Sequence, residues 1–352
     1  MARNNDTTHF SGQPVLAWLS PLPFFKHLRL LIVNLPTRAI SSVSHMSWKK
    51  GQAVQLVPLS QATGRVLDVY HDVQHVFGVP HISSFFQFLG NYPRFLDRFW
   101  TTILPIVQTD AFSSCSQRLR ADAYSRARSS FQIPDLKAEV YRQQFSPGAC
   151  EELRDCINFF CHSVPTSLLL SSFLSESFQT PAGNANIPRT PTPAPKPHRR
   201  IVMVEEDSAS PAVQAIFADI RRSTGADVVH TVYRAFARWP DFLQSYWIAV
   251  KPITVSELFL LSESALREAA LQVTKEIPGP VQFTASDLAG LGMNDDDAGS
   301  LIRLSGMFVH SLSAALLNVS VARIAMEGGS LHAKSDAEDS IGATEMPSTQ
   351  SS

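Results

Sequence analysis

The sequence lacks an excess of charge of either sign. Its 30 Lys and Arg against 31 Asp and Glu leave a formal net charge of −1, so no basic field argues for nucleic acid and no acidic tract for a basic partner. Cysteine is scarce as well. Cys115, Cys150, Cys156 and Cys161 have neither zinc-knuckle nor CxxC spacing. Cys156 and Cys161 lie on what reads as one helix, a poor geometry for a disulfide, and a reducing, cytoplasmic setting is the simpler expectation. No apolar run reaches the roughly 20 residues that span a bilayer. The apolar stretch 14–35 is broken by Pro21 and Pro23 and interrupted by Lys26, His27 and Arg29. It has no basic lead into an apolar core, so neither a transmembrane segment nor a signal peptide is expected. Gly-rich phosphate loops, nucleophile elbows and metal-spaced His/Cys clusters are missing too, and no cofactor is expected.

What the chain does have is the same stretch twice. Residues 66–107 align without a gap to residues 213–254, with nine identical positions. They are Val66/Val213, Asp72/Asp219, Gly78/Gly225, Pro93/Pro240, Phe95/Phe242, Leu96/Leu243, Trp100/Trp247, Pro105/Pro252 and Ile106/Ile253. Unrelated segments of that length would share roughly two or three residues, so the pattern reads as a duplication. A weaker echo joins Phe160, His162 and Ser163 to Phe308, His310 and Ser311. Two copies are too few for a solenoid. They suggest two like halves about a pseudo-two-fold axis, as in a fused homodimer.

Each copy opens with apolar residues at helical spacing, Val66, Val69, Tyr70 and Val73 in one and Val213, Ile216, Phe217 and Ile220 in the other. Gly78 and Gly225 are natural stops for these helices. Proline suits a first helical turn and discourages helix just before itself, so a further helix should start at Pro93 and at Pro240. Phe95, Leu96, Phe99 and Trp100 are expected to form its buried stripe, matched by Phe242, Leu243, Tyr246 and Trp247. Asp72 and Asp219, kept in both copies, read as capping or inter-half polar groups. Asn294–Asp297 reads as a helix cap rather than a metal motif. Neither copy carries a clear strand alternation. The expected fold is therefore all-α, an internally duplicated pseudo-dimer of two helical halves with a cleft between them. The expected boundaries are an N-terminal extension at 1–55, one repeat at 56–179 and a Pro-rich linker at 180–205. The second repeat follows at 206–327, and a disordered tail at 328–352.

The opening Tyr70-His71-Asp72-Val73 and Phe217-Ala218-Asp219-Ile220, the block VYRAFARWPDFLQSYW from Val232 to Trp247, and LLLSSFLSES from Leu168 to Ser177 together resemble the group I 2-haloacid dehalogenases, also labelled halocarboxylic acid dehydrogenases. The resemblance covers roughly residues 60–325. It implies an all-helical pseudo-dimer whose active site lies in an apolar cleft between the halves. It also implies hydrolysis of 2-haloalkanoic acids with inversion: an aspartate activates a water that attacks the α-carbon directly, and an asparagine helps to hold that water.

Carried over residue by residue, the resemblance puts the aspartate at Val232 and the asparagine at Val164. Aromatic wall residues fall on His81 and Ser84, and a tyrosine of the last helix on Met307. A valine cannot take a proton from water, so the family's chemistry is expected to be lost. His81 and His230 are the candidate catalytic groups, because an imidazole can act as a base near neutral pH. Ser84, His162, Val164, Thr231, Val232, Tyr233, Met307 and His310 are the candidate lining. Helix geometry opposes part of this set: residues two apart on a helix point about 200° apart, so His162 and His230 face away from the valines unless the helix is broken. Packing is the ordinary role of each histidine. Arg234 is a weaker candidate for the cleft; with Arg238, one turn away, it either meets a carboxylate or forms solvated surface, and surface is the favoured reading. Three functions follow. The first is a divergent enzyme acting on a small or apolar organic molecule, a hydrolase or a repurposed isomerase or cyclase. The second is a non-catalytic binder of an apolar ligand or partner, and the third is retained dehalogenation. A small organic molecule is the expected partner, with homodimerisation as a further option.

Overall fold

Left-handed glycines end the first helix of each series: Gly78 (φ 62°) caps α1 (Gly64–Phe77) and Gly225 (φ 68°) caps α7 (Pro211–Thr224). Glycine has no Cβ to oppose that conformation. The computed structural model describes residues 55–179, 201–226, 228–277 and 281–330. The apolar stretch 14–35 and the proline tract of the linker lie outside these residues. Among the described residues there are twelve α-helices and no strand.

After α1 come α2 (Ser84–Leu89), α3 (Pro93–Val107), α4 (Asp110–Ser130), α5 (Leu136–Arg142) and α6 (Pro147–Ser177). After α7 come α8 (Thr231–Phe236), α9 (Pro240–Thr254), α10 (Glu257–Thr274), α11 (Ala285–Gly290) and α12 (Asp295–Met326). The two series have the same order, and α7, α8 and α9 match α1, α2 and α3 in length. Both α3 and α9 start at their proline, whose fixed φ suits a first turn and which has no N–H to leave unpaired. Serine, threonine, aspartate or asparagine side chains cap α4, α5, α6, α7, α10, α11 and α12. Asn294 is among them: it accepts from the Asp297 N–H at 2.8 Å, so that segment is a cap.

The two longest helices, α6 and α12, pack together at the centre, with α4 and α10 against them. Both are apolar enough to pass for membrane spans, but their most apolar windows are 78% and 61% buried inside the fold, as core helices are. The helix α6 runs on through Pro165 without ending. The two series interlock rather than sit side by side. Phe308 of α12 meets Phe85 and Phe88 of α2 at ring distances of 5.7 Å, while α8 packs on α6. Each short helix is thus seated on the other series' long helix. Such aromatic pairs contribute about 0.5–1.5 kcal/mol beyond their buried area.

The end of the expected linker, residues 201–205, runs along α8, where Val204 N–H donates to the Arg234 carbonyl at 3.0 Å. Two expectations are corrected here. Residues 328–330 are packed rather than loose, because Ser330 N–H donates to the Ile133 carbonyl at 2.8 Å and its hydroxyl to that of Phe131 at 2.8 Å. Asp219 serves its own series, bonding to Trp247 and Lys251 of α9, whereas Asp72 is exposed.

Candidate functional site

The turn between α1 and α2 carries two polar atoms that the protein leaves unpaired. His81 Nδ1 and Ser83 Oγ are both sealed from solvent without a hydrogen-bond partner. Ser83 stands at the N-cap of α2 yet makes no capping bond, although serine there ordinarily accepts from the first turn. The His81 ring packs edge-on against Phe159 at 5.1 Å and lies 6.1 Å from Phe160, both on α6. Burial, then the charge of Arg234, lowers its imidazole to a pKa of about 4.

His230 stands at the N-cap of α8, the place that matches Ser83, and it does cap. Its Nδ1 accepts from the Val232 N–H at 3.2 Å. Burial, then Arg234, then His81 lowers its pKa to about 4. The two imidazoles and the Arg234 guanidinium therefore sit within electrostatic reach of one another. Near neutral pH both histidines are uncharged, since burial and a neighbouring cation each disfavour the imidazolium. Arg234 is the surprise of the site. Its side chain is only 14% exposed and pairs with Glu205, while its Nε donates to the Val204 carbonyl at 3.3 Å. The surface reading of Arg234 is corrected: the 201–205 segment, distant along the chain, covers it. Arg238 is the exposed one, paired with Glu152 at 2.7 Å and lying over the Trp239 ring.

The two valines are buried, Val164 at 4% and Val232 at 1% exposure. Val164 is four residues beyond Phe160 and so shares its face of α6. Ser84 and Thr231, each the first residue of its short helix, are half-buried, as is Met307 on α12.

Three expected lining residues point elsewhere. His162 is exposed, with Nδ1 2.7 Å from the Asn158 carbonyl one turn back. His310 is also exposed, held by Glu263 at 3.1 Å and Arg267 at 3.3 Å. Tyr233 turns into the second-series core, its ring against Trp247 at 5.8 Å and Tyr246 at 6.3 Å. Successive helical residues diverge by about 100°, so Tyr233 cannot share the direction of Val232. Sequence reasoning did not include Ser83, Phe159 and Phe160. The Phe-Phe pair one turn before Val164 was the available signal for the wall; nothing local marked Ser83. Among the described residues no three His, Cys, Asp or Glu gather as a metal site.

This all-α bundle is homologous, at about 25% identity, to the group I 2-haloacid dehalogenases. The family described as "Halocarboxylic acid dehydrogenase DehI" matches residues 80–231, the span that contains both histidines. An (R)-2-haloacid dehalogenase of Pseudomonas putida is 25% identical over 278 residues, 76% of this chain and 90% of that protein. Another, of Rhizobium sp. (strain NHG3), is 27% identical over 233 residues, 65% of this chain and 90% of its own length. A configuration-inverting 2-haloacid dehalogenase of Alcaligenes xylosoxydans xylosoxydans is 25% identical over 274 residues, 74% of this chain and 89% of that protein. The fold is shared with solved structures. One is the complex of a D-2-haloacid dehalogenase mutant with D-2-CPA, with a TM-score of 0.73 at 23% identity, covering 77% of this chain and 95% of that one. The other is the complex of the enzyme with L-LA, also with a TM-score of 0.73 at 23% identity, covering 78% and 96%.

Proposed function

We propose that this chain is an enzyme of dehalogenase ancestry whose cleft chemistry has moved from a carboxylate-activated water to a histidine-centred site. Its substrate is a small organic molecule lying between the two helical series, and hydrolytic dehalogenation of 2-haloalkanoic acids is lost. One observation carries this reading. Val232, where the family resemblance puts the aspartate, is 1% exposed, and its N–H holds the neighbouring His230. The first atom of the inherited mechanism, a carboxylate oxygen facing water, has no equivalent on that side chain. His81, Ser83 and His230 offer polar atoms instead, beside the phenylalanine wall of α6. The like order and lengths of the two series support reading them as copies of one unit, with the site drawing unlike residues from like places.

A second reading, a non-catalytic binder of apolar ligands, is favoured by the burial of both Val164 and Val232. Halide release from each enantiomer of 2-chloropropionate tests the main reading. Release above background by the wild type would overturn the lost-dehalogenation part. The double variant Val164→Asn, Val232→Asp, which restores the family pair, is expected to gain halide release over the wild type. An inert but folded double variant would show that the cleft has diverged beyond those two places.

A further inference from the structure

We infer that His81 and His230 divide the labour of an enolisation. His81 Nδ1 takes a proton from the carbon next to a carbonyl, and His230 Nε2–H, with Arg234, holds the oxygen where charge develops. This rests on the histidine-centred reading above and names its reaction class and substrate class: a small carbonyl compound with a removable α-hydrogen.

The division follows from hydrogen-bond accounting. A neutral imidazole has one N–H and one lone pair. The Nδ1 lone pair of His230 is committed to the Val232 N–H at 3.2 Å, so its hydrogen must sit on Nε2. That nitrogen is a donor and cannot serve as a base. His81 differs: its Nδ1 is sealed from solvent and has no partner within the protein, so no bond there commits it as a donor, and we assign the free lone pair to it. Leaving a buried polar atom unpaired is costly, so it marks a place where an incoming group completes the bond. The neighbouring unpaired Ser83 hydroxyl gives the same incoming molecule a second polar contact. The remainder of the His81 surroundings, Phe159 and Phe160, is apolar, which suits a small hydrocarbon body.

The electrostatics fit charge that appears during the reaction rather than before it. Imidazolium at His81 is disfavoured in the resting protein by burial and by Arg234. When the α-proton moves to His81, the C–H electron pair becomes the carbon–carbon double bond and the carbonyl π pair moves to oxygen. The anion that forms is then met by the Nε2–H donor and the new imidazolium, with Arg234, itself paired with Glu205, nearby. Fixed donors aimed at developing negative charge are the usual source of rate enhancement, and a neutral imidazole can be one of them. Return of the proton to the same carbon on either face, or to another atom of the enolate, closes the cycle. No oxidant, reductant or second substrate is consumed.

Two measurements test this. In protein labelled with 15N-histidine at pH 7, the imidazole shifts should show His230 as the Nε2–H tautomer and His81 neutral with an unprotonated Nδ1. A hydrogen on Nδ1 of either residue overturns the assignment. In D2O, the wild type should put deuterium into the methyl group of pyruvate or the α-positions of cyclohexanone at least about tenfold faster than protein-free buffer. His81→Ala should return exchange to background. His230→Asn keeps a good capping side chain but loses Nε2–H, and it should lower the exchange rate by about 100-fold. No exchange with either compound, or full exchange in folded His81→Ala, overturns the proposal. Halide release separates the two levels: release from 2-chloropropionate defeats the broader reading. Neither halide release nor exchange defeats only this one.

Discussion

Trp247 donates its indole Nε1–H to Asp219 Oδ2 across 2.8 Å, and Lys251 reaches the same oxygen at 2.7 Å. At the matching place in the first series, Trp100 is buried with no partner for its Nε1, and its ring is met edge-on by Phe77 and Phe86. The same two residue types, aspartate and tryptophan at the same spacing, make a bond in one series and not in the other. One difference between the two places lies in α9, where Lys251 stands in place of Leu104 and bonds the same carboxylate oxygen.

Asp219→Ala is therefore expected to lower the urea midpoint of unfolding clearly, because it leaves the Trp247 N–H and the Lys251 ammonium without their acceptor. Asp72→Ala, which removes an exposed side chain, should leave the midpoint nearly where it was. Equal shifts in the two variants would contradict the asymmetry.

The histidine pair sets a pH dependence of stability. Both imidazoles are held at about 4 in the folded protein, against an ordinary 6.5. Between those values the unfolded chain binds more protons than the folded one, so stability rises with pH there. Their contribution is fully present above about 6.5, falls as the pH drops through the window, and is gone below about 4. The loss is on the order of 3 kcal/mol per histidine at most. Thermal unfolding of the wild type and of His81→Ala from pH 7 to pH 4 should show a shallower decline in the variant. An unchanged slope would mean that His81 titrates normally.

Two buried tyrosines separate a paired hydroxyl from an unpaired one. Tyr246 donates to the Asn318 carbonyl at 2.7 Å, whereas Tyr233 makes no hydrogen bond of ordinary geometry and only a loose contact with Thr254. Tyr246→Phe should cost about 1 kcal/mol. Tyr233→Phe should be neutral or stabilising, since it removes a buried polar atom that has no firm partner. Chemical denaturation of the two variants checks the order.

Gly329 closes the last packed turn at φ 76°, and a Cβ there would stand 2.5 Å from the Ile133 carbonyl oxygen and 2.8 Å from Asp135 N. All the atoms it would meet are backbone, which cannot swing aside. Gly329→Ala is expected to destabilise by about 1–3 kcal/mol and to loosen the 131–133 segment. Faster amide exchange at Ile133 and Ser330 would report it; wild-type protection would count against the packed turn.

Much of the scaffold was legible in the chain because it depends on local rules. Glycine stops at 78 and 225, proline starts at 93 and 240, the Asn294 cap and the buried stripe around Trp100 all follow from what neighbouring residues do to one backbone. Which candidate residues come together was legible only in part. His81 and His230 could be named from their places in the resemblance, but His162 and His310 have the same credentials on paper and face solvent. The direction of a helical side chain depends on which helices cover it, and the sequence does not state that.

What the sequence determined by itself is a local inventory: the all-α class, the opening and proline-started helices of each copy with their glycine stops, and two valines where the resemblance puts two polar groups. Helix periodicity and caps act over a few residues, so they survive in a linear reading. The tertiary structure alone decided that the short helix of each series sits on the long helix of the other. It alone decided that residues 201–205 cover Arg234 beside the histidines, and that His81 Nδ1 is left unpaired while His230 Nδ1 is not. Those outcomes depend on desolvation and on long-range packing, which join groups far apart in the chain and exist only once the fold has closed around them.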